Sequence, residues 1–178
     1  VIVDEFYTNS RHSYQQYFHF NNAGRVTGGG TKFHYRSSKN HVCLFLLKDG
    51  IRTELVPTRL SRRYNQTEKN VTLRTDCRGD GFTSIITVIS ADEPGKEEDV
   101  SAVKIPVRSN FKNTVFPDKV IEAVNLTKDG RKFTVVVTHQ EYASPTDTFF
   151  ADGCTGFGNV VVFDRSIGET QIGTVLAD

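Results

Sequence analysis

The sequence predicts an all-β protein: an antiparallel β-sandwich of about a dozen strands, with little or no helix. Three observations predict it. Short runs rich in Val, Ile, Thr, Phe and Tyr recur at a spacing of about 8–12 residues, separated by Gly, Asn, Asp and Pro turn signals. Several runs alternate apolar and polar residues with the period of a strand. No stretch of about ten residues follows the 3.6-residue apolar period of a helix behind a capping residue. The chain has 178 residues, enough to bury about 70% of its unfolded surface. It reads as a single domain over 1–178, with a weak seam near 91–99 where the chain turns acidic around Pro94-Gly95.

Residues 1–6 and 12–20 are apolar-aromatic runs around a polar break at Thr8, Asn9 and Ser10, and they read as neighbouring strands joined by a turn. In the second run Tyr14, Gln16, Phe18 and Phe20 share one parity, while Gln15, Tyr17 and His19 share the other. The first set seeks the core. The second presents an amide, a phenol and an imidazole, which suits either a polar-ligand surface or an ordinary half-wet sheet face. Residues 21–24 and 28–30 are turns. The triple glycine lacks the Lys-Ser/Thr that a phosphate loop requires. Residues 31–36 alternate as a strand, and 41–47 are apolar on both parities, as expected of a strand covered on both faces.

Asp49-Gly50 is a hairpin signal, with 51–56 as the returning strand and Pro57 as its stop, since proline cannot donate to a ladder. Residues 58–70 form a polar, basic connection holding Arg59, Arg62, Arg63 and Lys69 with Tyr64 and Asn65 between them. This is the segment best suited to touch something anionic; a solvated connection is the plainer reading. Residues 71–75 and 82–89 are strands around Gly79-Asp80-Gly81, and 100–105 is a strand stopped by Pro106. After an irregular 109–118, residues 119–126 and 131–139 are strands joined at Asp129-Gly130. A polar connection at 140–148 precedes short strands at 149–151, 158–164 and 170–176, with turns at Asp152-Gly153 and 166–168.

The net charge of +1 argues against nucleic acid, whose binders need an excess of Lys and Arg to neutralise phosphates. No apolar run reaches the roughly 18 residues of a membrane span. The sequence contains no Met and opens inside an apolar run, so it reads as a piece of something longer. Cys43, Cys77 and Cys154 form no C-x-x-C pair, and whether any two join in a disulfide is left open. There is no G-x-S-x-G elbow, and Asp49, Asp80, Asp129 and Asp152 are explained by turns. None of the five histidines falls in an H-x-H or H-x-x-x-H pair. His19 and His34, on strands expected to be neighbours, are weak candidates for a metal pair. A metal-dependent enzyme built on them is the least supported reading.

The opening run through Phe6, the stretch 11–20 ending in Phe18-His19-Phe20, and the segments 60–65, 83–89, 136–141 and 156–163 resemble, in order and spacing, the later β-sheet part of heparinase II/III-like polysaccharide lyases. The resemblance covers most of the chain, through motifs that are individually loose. It implies a supersandwich-like stack of antiparallel sheets belonging to a periplasmic or secreted, bacterial enzyme. Such an enzyme cleaves uronic-acid-containing polysaccharides by β-elimination, with one group removing the proton beside the uronate carboxyl and another protonating the leaving oxygen. The family's His-x-His-Ala-Asp, Asp-x-Gly and His-Asn-Thr stretches do not occur here, so catalytic roles have no positions to be carried onto. The chain is therefore expected to be non-catalytic alone and to hold no cofactor, any divalent metal belonging to the parent. Its expected partners are an N-terminal (α/α) toroid of the same parent and an anionic polysaccharide. Tyr17, His19, Arg59, Arg62, Arg63 and Tyr64 are the candidates for glycan contact, because aromatic rings stack on sugars and guanidinium groups pair with carboxylate or sulfate. A free-standing carbohydrate- or protein-binding β module is the alternative.

Overall fold

The computed structural model describes residues 1–95, 99–139 and 148–165, and the backbone of 171–173. The expected connection over 140–147, the turn at 166–168 and the end of the last expected strand lie outside the described residues. The chain divides into two compact units, Val1–Glu97 and Glu98–Asp178. Among the described residues there is no helix, and the protein is all-β.

The first unit contains β1 (Ile2–Tyr7), β2 (His12–His19), β3 (Arg25–Gly29), β4 (Lys32–Arg36), β5 (His41–Leu47), β6 (Arg52–Arg63), β7 (Gln66–Gly79) and β8 (Phe82–Asp92). They form a five-stranded sheet ordered β1-β8-β5-β4-β3 and a three-stranded sheet ordered β2-β7-β6, antiparallel throughout. Phe33, Leu44 and Leu46 of the larger sheet pack with Leu73, Phe18 and Leu55 of the smaller. Each fully buried Leu or Phe contributes about 1.5–3 kcal/mol by leaving water. The alternation along β2 is realised: Tyr14, Gln16 and Phe18 are half-buried, while Gln15, Tyr17 and His19 are exposed. Tyr14 stacks on Phe6 at 4.2 Å between ring centroids, and Gln16 Nε2 donates to Asp4 Oδ2 at 2.6 Å. Along β5, Leu44 and Leu46 enter this core, and Cys43 and Phe45 on the other face are buried as well.

Three local expectations are corrected here. β1 and β2 are not paired: β1 lies beside β8 and β2 beside β7, so their aromatic residues meet between the two sheets. Asp49-Gly50 closes no hairpin. It carries the chain from β5 in the large sheet to β6 in the small one. Pro57 does not end its strand but sits inside β6, opposite Val71. β6 is an edge strand, so a missing N–H there can face the open side and cost no ladder bond. The basic segment that follows is the far arm of this long hairpin, with an irregularity between Leu60 and Arg63 and a tip at Tyr64-Asn65, where Asn65 has φ 57°.

The second unit contains β9 (Val100–Ile105), β10 (Arg108–Ser109), β11 (Ile121–Lys128), β12 (Arg131–Thr138), β13 (Phe149–Ala151), β14 (Cys154–Gly156), β15 (Val160–Asp164) and β16 (Gln171–Gly173). Its sheets are ordered β16-β15-β12-β11-β9 and β10-β13-β14. Ile121, Ala123, Val136, Val161 and Phe163 pack against Phe149, Ala151 and Cys154 of the smaller sheet. Phe149 meets Phe163 edge-on at 6.3 Å. The Asp129-Gly130 hairpin forms as expected. Lys128 pairs with Arg131, and the two turn residues have φ 51° and 75°, the double left-handed geometry that matches strand twist.

Candidate functional site

The sequence candidates are distributed over two sheets. His19 points to the outer face of the small sheet, where its Nδ1 lies 3.0 Å from Thr72 Oγ1. Thr72 in turn bonds Thr58 at 2.8 Å. His34 belongs to the large sheet, beside core-facing Phe33. Its ring stacks on His41 at 5.4 Å, with Nδ1 3.2 Å from His41 Nε2. Burial, with help from the charges of Arg36 and Lys32 and from His41, lowers the His34 pKa below its usual value. His19 and His34 are therefore not brought together, because β2 and β4 enter different sheets. Among the described residues no group of three or more His, Cys, Asp or Glu is placed to hold a metal ion.

Arg62 is committed to structure: its guanidinium donates to the side-chain oxygens of Asn21 and Asn22, tying the hairpin tip to the turn after β2. Arg59 and Arg63 are exposed, and Tyr64 at the tip is 92% exposed. Tyr17 is half exposed and begins a chain of contacts across the outer face of the small sheet. Its hydroxyl donates to Gln15 Oε1 at 2.7 Å, and Gln15 Nε2 donates to Asp76 Oδ1 at 2.7 Å. Asp76 Oδ2 lies 3.2 Å from Arg74 Nε, and the Arg74 guanidinium pairs with Glu54 at 2.7 Å. The Nε atom of Arg74 is buried without an aligned hydrogen bond, so the Asp76 contact is ionic rather than a good hydrogen bond.

This chain borders a cleft of about 690 Å³ on the same sheet, lined by Arg11, Arg52, Arg74, Arg78, Glu54 and Asp76 among others. The sequence reading missed it. The four arginines are isolated in sequence. They come together only because Arg52 pairs opposite Asp76, Arg74 opposite Glu54 and Arg78 opposite Ser13, placing all three strand arginines on one face. The signal was their shared parity with Tyr17's partner position, readable only once the β6–β7 register is known.

A second charged group lies in the other unit. His139 Nε2 is 2.8 Å from Glu122 Oε2, with side chains 0% and 2% exposed. Glu122 also pairs with Lys104, which reaches Asp118. Burial opposes the charge of Lys104, but its hydrogen bonds to Asp118 and Glu122 outweigh this and raise its pKa. The His139–Glu122 pair is closed to solvent and reads as an internal brace.

No protein-family profile matches the chain, and no curated protein matches it. Among solved structures it is similar to a heparinase III gene product, with a TM-score of 0.57 and 15% identity over 76% of this chain and 21% of that one. The chain thus spans about a fifth of the length of that protein. At this identity the likeness is one of fold, and the chain is an all-β protein with a heparinase III as a structural neighbour.

Proposed function

We propose that this chain is a non-catalytic β-sandwich part of a heparinase II/III-like polysaccharide lyase, a periplasmic or secreted enzyme that acts by β-elimination on uronic-acid-containing polysaccharides. Its work is to support the catalytic domain and to contact anionic glycan. The observation that carries this reading is the fold likeness to a heparinase III over 76% of the chain, in agreement with the sequence resemblance. The lack of the family's His-x-His-Ala-Asp and His-Asn-Thr stretches favours a supporting role over a catalytic one. Exposed Tyr64 with Arg59 and Arg63 at the hairpin tip, and Tyr17 with His19 on the sheet face, supply the stacking and charge that a uronate chain would meet.

The test is to incubate the purified chain with uronate polysaccharides and to follow both unsaturated uronate ends and retention on an anionic-glycan gel. Retention without unsaturated ends is expected. New unsaturated ends made by this chain alone would overturn the non-catalytic role, and passage through the gel without delay at low salt would overturn the glycan contact.

A further inference from the structure

We propose that the arginine cleft on the outer face of the small sheet is an oxyanion subsite that takes one carboxylate or sulfate ester of a sugar. The proposal rests on the glycan reading above for its sugar, but its own ground is the state of the guanidinium groups. Arg74 is charge-paired, held between Glu54 and Asp76. Asp76 stands directly opposite Arg52 in the ladder, yet its carboxylate is engaged by Gln15 and Arg74 instead. Arg11, Arg52 and Arg78 line the cleft with no ion pair and no side-chain hydrogen bond among the described residues. Asp49, which also lines the cleft, makes no ion pair among the described residues. Three uncommitted guanidinium groups thus share a concavity with one uncommitted carboxylate.

The geometry favours a single oxyanion. Arg52 and Arg78 are diagonal neighbours on adjacent strands, one step of two residues apart on the same face. Such positions are about 7–8 Å apart at the backbone, within reach of a common anion for two long side chains. A guanidinium matches carboxylate or sulfate through paired N–H donors, which a lysine cannot do. One further step along the face stands Tyr17, opposite Arg74 and half exposed. Its hydroxyl is fixed by Gln15, and Gln15 by Asp76. Asp76 therefore orients the ring through Gln15, and Glu54 is taken up by Arg74. A pyranose carrying an acidic group would find the charge in the cleft and an aromatic surface beside it.

The experiment uses the full 178-residue chain. A uronate tetrasaccharide, its carboxyl-reduced counterpart and inorganic sulfate are titrated into wild type, R52A/R78A and R59A/R63A by calorimetry at low salt, with circular dichroism to check folding. Exposed arginines on a sheet face are dispensable for folding, so R52A/R78A is expected to keep its spectrum. It should bind the acidic tetrasaccharide at least about tenfold more weakly, the worth of a lost charge-assisted bond. The carboxyl-reduced sugar should bind wild type and R52A/R78A alike. Wild-type affinity in R52A/R78A, alongside a loss in R59A/R63A, overturns the subsite while leaving the glycan reading intact. Sulfate binding lost in R52A/R78A without any tetrasaccharide binding overturns the sugar assignment. No acidic tetrasaccharide or sulfate bound by wild type overturns both.

Discussion

Asp152 shows what a turn residue can do beyond turning. It sits at φ 45° between β13 and β14, a conformation that Asp and Asn tolerate better than most residues. Its Oδ2 accepts from Lys132 at 2.7 Å and from Asn125 at 2.7 Å, and pairs with Arg165. The Lys132 hydrogen bond, against the opposing effect of burial and with Asn125 and the Arg165 charge, holds the carboxyl below its usual pKa. A carboxyl depressed in the folded state stabilises the fold above its unfolded value, near 4, and that share is lost as pH falls through the folded value. D152N keeps the turn geometry and removes the charge. The stability difference between wild type and D152N, from urea denaturation across pH, should be constant from neutrality down to about pH 4 and shrink below it. A difference that persists unchanged into strong acid would remove the carboxylate from the account. The sequence places Asp152 in a turn correctly, but nothing near it announces partners at positions 125, 132 and 165. Arg62 errs the other way. Its neighbours Arg59 and Arg63 make it look like a ligand group, whereas Asn21 and Asn22, some forty residues earlier, consume it.

At the level of elements, the alternation of a strand is local and the choice of its partner is not. Residues 14–20 therefore disclose which side chains face the core, and the structure places Phe18 and Phe20 against it. The same kind of dipeptide has two outcomes: Asp129-Gly130 closes a hairpin within one sheet, while Asp49-Gly50 crosses between sheets. Only the pairing of β6 with β7, and of β5 with β8, separates the cases, and those contacts join residues far apart in sequence. For the same reason the arginine cleft is invisible in the chain as written. Leu73 is the test of how the two sheets of the first unit are held. It is 0% exposed in the centre of β7 and packs against Phe33, Leu44 and Leu46 of the facing sheet. L73A should cost about 2–5 kcal/mol, since the surrounding sheets cannot collapse fully onto the void. Val71, two residues earlier on the same parity, is 38% exposed, and V71A should cost less than about 1 kcal/mol. Chemical denaturation compares them, and equal losses would contradict a core that ends between these positions.

For the whole molecule, the three cysteines are reporters already in place. All are free and buried, and burial raises the pKa of each thiol. Since the thiolate is the reactive form, a native chain should react slowly with a thiol reagent, at a rate set by opening of the surrounding structure. Cys43 lies in β5 of the five-stranded sheet and Cys77 in β7 of the three-stranded sheet, the two layers of one sandwich. Cys154 lies in β14 of the other unit. A sandwich cannot keep one layer's core once the other has left, because Leu44 and Leu46 are buried largely by Leu73 and its neighbours. Cys43 and Cys77 should therefore become reactive with the same opening free energy and the same dependence on urea, while Cys154 reports its own unit. Labelling of wild type in a urea series, read residue by residue by mass spectrometry, measures this. If Cys43 and Cys77 open with different free energies and slopes, the eight strands of the first unit do not unfold as one body, and the rigid face on which the arginine cleft depends would have to be given up.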